Sequence, residues 1–349
     1  MAETAHRVPP ATGVDFAALP RVAERSDVVP SALAGSGVLD GEQPLVLRGL
    51  VRDWPETGLA ARDLLDIISA SASERPLPFY TASPDAGGRV FYDDTMRGFN
   101  FERRTGRLAD CCHWLRENAD RPDAGMLYVG STAVDGWWPG FADSHPMDLG
   151  VEQPLCSLWL GTRARIAAHY DFPRNLACVV AGRRRFTLFP PEQVLNLYPG
   201  PLEHTPSGQP ISLVDFHAID EQRFPRFRDA LDAALVAELE PGDALYMPGM
   251  WWHHVEALDP VNLLVNYWWR DSPLHLGSPQ AALLHAALTL GQLSAQEREP
   301  WRALFEHCVF AREPDKWSHI NAASRGVLGP VDESQAHRLR QQIARQLQP

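Results

Sequence analysis

The chain predicts a mainly β architecture with flanking helices: a barrel or double-sheet jelly roll followed by C-terminal helices. Three observations lead there. The β-prone segments Leu155–Leu160, Asn175–Ala181, Arg184–Phe189, Ala244–Met247 and Asn262–Trp269 crowd together, separated by Gly or Pro. Helical patterns do not alternate with them, which argues against a sheet wound by βαβ crossovers. From about residue 280 the pattern turns helical, apolar over Ala281–Leu293 and amphipathic over Asp332–Leu347.

Taken in order, residues 1–30 mix Pro, Ala and charges and read as an extended or loosely ordered lead-in. Pro44–Gly49 (PLVLRG) is a short apolar run closed by Arg-Gly, a strand leading into a loop with Trp54-Pro55. Leu59–Ala70 carries helical spacing at Leu64, Leu65 and Ile68, and Leu108–Asn118 reads as a second helix. Leu77–Tyr80 and Val90–Tyr92 are strand candidates around the turn signal Ser83-Pro-Asp-Ala-Gly-Gly, and Met126–Gly130 is another. Phe224–Ala237, inside the β block, has helical spacing with a charged face. The expected organisation is a lead-in at 1–30, a catalytic β domain at 31–275 with its core at 155–270, and a helical segment at 276–349.

The formal net charge is −12, which argues against nucleic-acid binding through bulk charge; Arg183, Arg184 and Arg185 form the one obvious basic triplet. The five cysteines are odd in number and lack CxxC spacing, as expected of reduced thiols in a cytoplasmic protein. The N-terminus shows no signal-peptide pattern, and no apolar run approaches the ~18 residues that span a membrane.

Chemistry concentrates in the β block. In His169-Tyr170-Asp171, strand residues two apart share a face, so an imidazole and a carboxylate would project side by side. A second histidine would complete a 2-His-1-carboxylate triad, which holds Fe(II) on one side and leaves positions open opposite. The segment 240–255 (EPGDALYMPGMWWHHV) supplies that partner: a turn, a strand, a second turn, then paired aromatics and paired histidines. Neighbours on a strand face opposite ways, so only one of His253 and His254 points inward, Trp251 sharing a face with His253 and Trp252 with His254. The pattern does not choose between them. An HxD alone is common by chance, and a lone histidine is more often core or surface than ligand. It is the coincidence of both features in one β block that favours a metal.

At these residues the sequence resembles the cupin-like JmjC hydroxylases. The resemblance rests on His169–Pro191, Pro241–Val255 and Val261–Trp269 (VNLLVNYWW). It extends more weakly to PLVLRG, Asp53-Trp54-Pro55, Tyr92-Asp93-Asp94 and Gly98–Phe101. It implies a double-stranded β-helix, and a reaction coupling decarboxylation of the co-substrate 2-oxoglutarate to C–H hydroxylation. It implies Fe(II) on His169, Asp171 and His253, pocket asparagines at Asn175 and Asn266, and a pocket tryptophan at Trp268. Where relatives bind the distal carboxylate of 2-oxoglutarate with lysine, this chain has Arg184, on the same strand face as Phe186 and Leu188; arginine offers a bidentate fork. Tyr128 matches a phenol at that carboxylate. One position departs: Ile166 stands where a relative has a threonine that helps bind the co-substrate. The resemblance further implies a homodimer through the C-terminal helices. The substrate is expected to be an amino-acid side chain in a protein or peptide, or a small molecule. The pairs Trp137-Trp138, Trp251-Trp252 and Trp268-Trp269 are candidates for a substrate platform or for core. The competing reading is a metal-binding cupin that senses a small molecule without oxygenase activity; the inward cation at Arg184 and the carboxylate in the triad separate the two.

Overall fold

The computed structural model describes residues 13–347 apart from Pro122, Arg312 and Pro314. It divides into a β unit reaching Trp269 and a helical unit from Arg270. In the β unit the first strands are β1 (Glu24–Arg25), β2 (Leu45–Leu47), β3 (Pro76–Ala82), β4 (Arg89–Val90), β5 (Glu102–Arg107) and β6 (Met126–Ala133). The β block contributes β7 (Leu155–Gly161), β8 (Ala164–Tyr170), β9 (Arg174–Ala181), β10 (Arg184–Phe189), β11 (Leu235–Leu239), β12 (Ala244–Met247), β13 (Trp252–Ala257) and β14 (Asn262–Trp269).

The described strands form two sheets, ordered β1-β2-β12-β9-β14-β7-β6-β3-β5 and β11-β10-β13-β8-β4. Successive strands from β7 to β14 switch between them, except that β10 and β11 pair within the smaller sheet, so that β7, β9, β12 and β14 face β8, β10, β11 and β13. That is a jelly roll, with its core between the sheets.

The near-continuous apolar strands of the larger sheet follow from burial on both faces. Leu176, Cys178 and Val180 of β9 and Leu263, Val265 and Tyr267 of β14 turn outward onto the helices Ala61–Ser71 and Leu108–Asn118, through Leu64, Leu65, Ile68, Cys111, Cys112 and Leu115. The alternate residues Ala177, Val179 and Leu264 turn inward against Phe186, Leu188 and Val255 of the smaller sheet. The inward set also contains Asn175, Asn266 and Trp268, polar exceptions on an otherwise apolar face.

One local expectation is corrected. The helical spacing of Phe224–Ala237 yields a helix only over Phe227–Asp232, whereas Leu235–Leu239 is β11, paired with β10 from Arg184↔Leu239 to Leu188↔Leu235. Pairing covers an open edge of β10 and buries Val236, Ala237 and Leu239, which outweighs a local helical preference. Strand β5, whose polar sequence ERRTGR carries no strand signal, is recruited by backbone pairing to β3.

Of the lead-in, residues 1–12 lie outside the described residues. Beyond them, Val22 is buried and β1 pairs in parallel with β2. The helical unit contains the helices Pro279–Leu290, Ala295–Phe305 and Glu333–Gln346. The last begins at a capping box on Asp332 and Gln335. No described helix is long and apolar enough to cross a membrane.

Candidate active site

A cavity of about 340 Å³ lies between the sheets. Its floor holds the three residues singled out first. His169 is the penultimate residue of β8, Asp171 follows the strand in the turn, and His253 stands opposite on β13, in register with His169. Their ligand-capable atoms lie within 4.8 Å of one another. The His253 Nε2 to Asp171 Oδ2 separation is 3.6 Å, and the imidazoles sit 4.3 Å apart between centroids.

Hydrogen bonds settle the tautomers. His169 Nδ1 donates to the carbonyl of Ala167 at 2.9 Å and His253 Nδ1 to that of Trp251 at 3.0 Å. A carbonyl only accepts, so each Nδ1 carries the proton and each neutral ring keeps its Nε2 lone pair. Both rings are thereby in the ligating form, fixed by backbone bonds of the kind that orient metal-bound histidines. Burial, then the neighbouring His169, holds the His253 imidazole well below its ordinary pKa, and so neutral at pH 7. Two imidazoles and a carboxylate converging on one point fit a divalent cation.

The adjacent histidine points the other way. His254 lies on the outer face of β13, with its ring stacked 4.4 Å from Phe216. The turn before β13 is tied to the triad by Met250 N–H, which donates to the Asp171 carbonyl at 2.7 Å. A Cβ on Gly249 would lie 2.5 Å from the Phe172 carbonyl oxygen, where neither backbone can yield cheaply. Gly249→Ala is therefore expected to cost ~1–3 kcal/mol, seen as a lower urea midpoint with an unchanged slope.

Arg184 enters the same cavity from β10. It is 4% exposed; its Nε has no partner among the described residues, and its Nη2 reaches only the Trp159 carbonyl, at 3.5 Å. Burial pulls its pKa down to about 10, partly offset by Tyr128, so it stays charged at pH 7. A buried cation without a carboxylate partner is costly unless a ligand supplies the anion. Tyr128, on β6, lines the same end, and burial pushes its phenol upward in pKa, keeping it a hydrogen-bond donor.

The opposite wall is a polar chain: Trp159 Nε1 donates to Asn266 Oδ1 at 2.6 Å, and Asn266 Nδ2 to Asn175 Oδ1 at 3.0 Å. Trp268 packs edge-on to Trp159 at 5.7 Å, and its own Nε1 is without a partner among the described residues. All eight residues singled out in the sequence thus line one cavity. Sequence reasoning missed Trp159, Tyr80, Phe101 and Arg103, which also line it. Trp159 alternates with Leu158 and Leu160, which turn to the outer core. As for the tryptophan platform, only Trp268 of the three pairs lines the cavity; Trp138, Trp251 and Trp269 are core.

Ile166 lines the cavity too, although it lies three residues before His169 and simple alternation would send it outward. A β-bulge explains this: His253 pairs with His169 but Val255 with Ile166, so two residues of β8 oppose His254 alone.

Two sheets of a jelly roll, closed over a cavity with two imidazoles and a carboxylate on its floor, are the architecture of a cupin. The cupin-like domain family model matches residues 30–275, and the chain belongs to that family, whose cupin-like JmjC members its motifs resemble. HSPB1-associated protein 1 of Bos taurus is 40% identical over 244 residues, which is 65% of this chain and 48% of that protein. The Rattus norvegicus protein of that name is 37% identical over 339 residues, 86% of this chain and 69% of its own. Lysine-specific demethylase JMJ31 of Arabidopsis thaliana is 31% identical over 157 residues, 43% of this chain and 28% of that protein. The chain spans about half the length of the bovine relative.

Proposed function

We propose that this protein is an Fe(II)- and 2-oxoglutarate-dependent dioxygenase that hydroxylates a C–H bond, in an amino-acid side chain of a protein or peptide, releasing succinate and CO2. The observation that carries the reading is the pairing of a buried guanidinium at Arg184, without an anionic partner among the described residues, with the His169, Asp171, His253 cluster in one cavity. His169, Asp171 and His253 would hold the iron. Arg184 would take the distal carboxylate of the co-substrate through its fork, with Tyr128 as a second donor. Bound there, iron and co-substrate together supply the oxidation of an unactivated C–H bond. Asn175, Asn266 and Trp268 shape the far wall, and the free Trp268 Nε1 offers a donor to whatever lies over the metal.

The relatives named for association with HSPB1 and for lysine demethylation support a protein substrate or partner. The test is succinate release across a panel of peptides and metabolites, with mass spectrometry for a product heavier by one oxygen. Metal binding without succinate above the metal-free background for any substrate would instead favour a sensor cupin.

We also propose a homodimer through the helical unit. No residue of the helix Pro279–Leu290 is buried, although its sequence PQAALLHAALTL is apolar; Leu283 is 46% and Leu288 73% exposed. An apolar helix so uncovered is suited to self-complementary contact across a two-fold axis. Replacing Leu283, Leu284 and Leu288 with glutamate is expected to convert dimer to monomer in light scattering after size exclusion. A wild-type monomer at tens of micromolar overturns the dimer.

A further inference from the structure

We propose a second metal site, on the outer face of the smaller sheet, in which His217, His254 and Glu256 bind Zn²⁺. Strand β13 carries a histidine and a carboxylate two residues apart, His254-Val255-Glu256, so both project from the same face. This is the arrangement of His169-Tyr170-Asp171, turned away from the cavity. His217 comes from the long connection between β10 and β11, and the ligand-capable atoms of the three lie within 4.8 Å of one another.

The independent observation is His254 itself. It is 5% exposed, and neither ring nitrogen has a hydrogen-bond partner among the described residues. An imidazole buried with both nitrogens unsatisfied forfeits the desolvation free energy of both; coordination through one of them recovers it. Phe216, stacked on the ring, fixes its plane.

Glu256 is 3% exposed and already oriented: Arg185 Nη1 holds its Oε2 at 3.2 Å, while Oε1 faces His217 Nε2 at 2.6 Å. That second contact is the one a cation would replace. The guanidiniums of Arg89 and Arg165, within electrostatic reach of His254, oppose a cation, but both are paired with Asp215, at 3.3 and 3.4 Å. A surface cleft lined by His217 and Glu256 gives an entry path. The side chain of His217 is 44% exposed, which leaves room for water as a fourth ligand.

Two imidazoles and one carboxylate with a water suit tetrahedral zinc, with bonds of about 2.0–2.2 Å. At an N/O site zinc outcompetes Fe(II), so the two centres can differ in metal. Zinc here would clamp the connection carrying His217 onto the outer face of the strand whose inner face presents His253.

The experiment uses Zn²⁺ as its probe. Wild-type protein is expected to take up two zinc ions per chain and His217→Ala one. The His169→Ala, Asp171→Ala double variant is expected to retain one, raising its Tm, and to lose both the ion and the Tm rise when His217→Ala is added. His217 is half-exposed, so this substitution leaves the fold intact, as circular dichroism will show. Uptake of only one zinc by the wild type and none by the double variant overturns the proposal, and so does a zinc that persists in the double variant when His217→Ala is added.

Discussion

Fe(II) is expected to bind the wild-type chain anaerobically with 2-oxoglutarate and to give the metal-to-ligand charge-transfer band of that chelate; His169→Ala, Asp171→Ala and His253→Ala each abolish it. The effect is near-total because each change deletes one of the three proposed protein ligands. The Nδ1 nitrogens, which face away from the metal position, are already held by backbone carbonyls, and this fixes each Nε2 toward it. His254→Ala is the internal control. It removes an equally buried imidazole from the same strand, yet from the opposite face, and the band should survive. Loss of the band in His254→Ala with retention in His253→Ala would move the metal to the wrong side of β13 and sink the site.

The second large effect concerns Arg184. Losing a charge-assisted bond in a buried site costs ~1.5–3 kcal/mol, so Arg184→Ala is expected to weaken 2-oxoglutarate about tenfold to a hundredfold, in the Kd from titration and in the KM for succinate release. The stability of the unliganded protein should move the other way. Arg184 has no anionic partner among the described residues, so Arg184→Met, which fills the aliphatic volume without a charge, should leave Tm unchanged or raise it. A co-substrate affinity that does not change assigns the carboxylate to another cation. Arg103 lines the same cavity, whereas Arg183 and Arg185 are held on the surface by Asp259 and by Glu238 with Glu256.

Much of the cavity was legible because strand parity is a local property. Asn175, Arg184, Asn266 and Trp268 each stand an even number of residues from apolar neighbours that also turn inward, and the structure places all four on the cavity. Helix Leu108–Asn118 matched its periodicity from end to end, since Leu108, Cys111, Cys112 and Leu115 are the face it buries. Where reading failed, the deciding interaction lay far off in sequence. Leu235–Leu239 has a weak local preference and becomes a strand because β10 offers an edge. Trp251 and Trp138 became core because neighbouring elements cover them.

By itself the sequence determined the candidate residues for the chemistry, the alternation that aims them, and the family motifs that tie them to a cupin. It also determined that one of two adjacent histidines must face the other way, since the period of a strand is two. The strand pattern left open which one, the resemblance implied His253, and what stands across from it only the tertiary structure decided. His253 meets His169 because β13 pairs with β8 in that register, and the bulge opposite His254 swings Ile166 into the cavity against simple alternation. Register and bulges are set by packing and hydrogen bonding between segments some 80 residues apart, where no local pattern reaches. The same holds on the outer face, where folding alone carries His217 to Glu256.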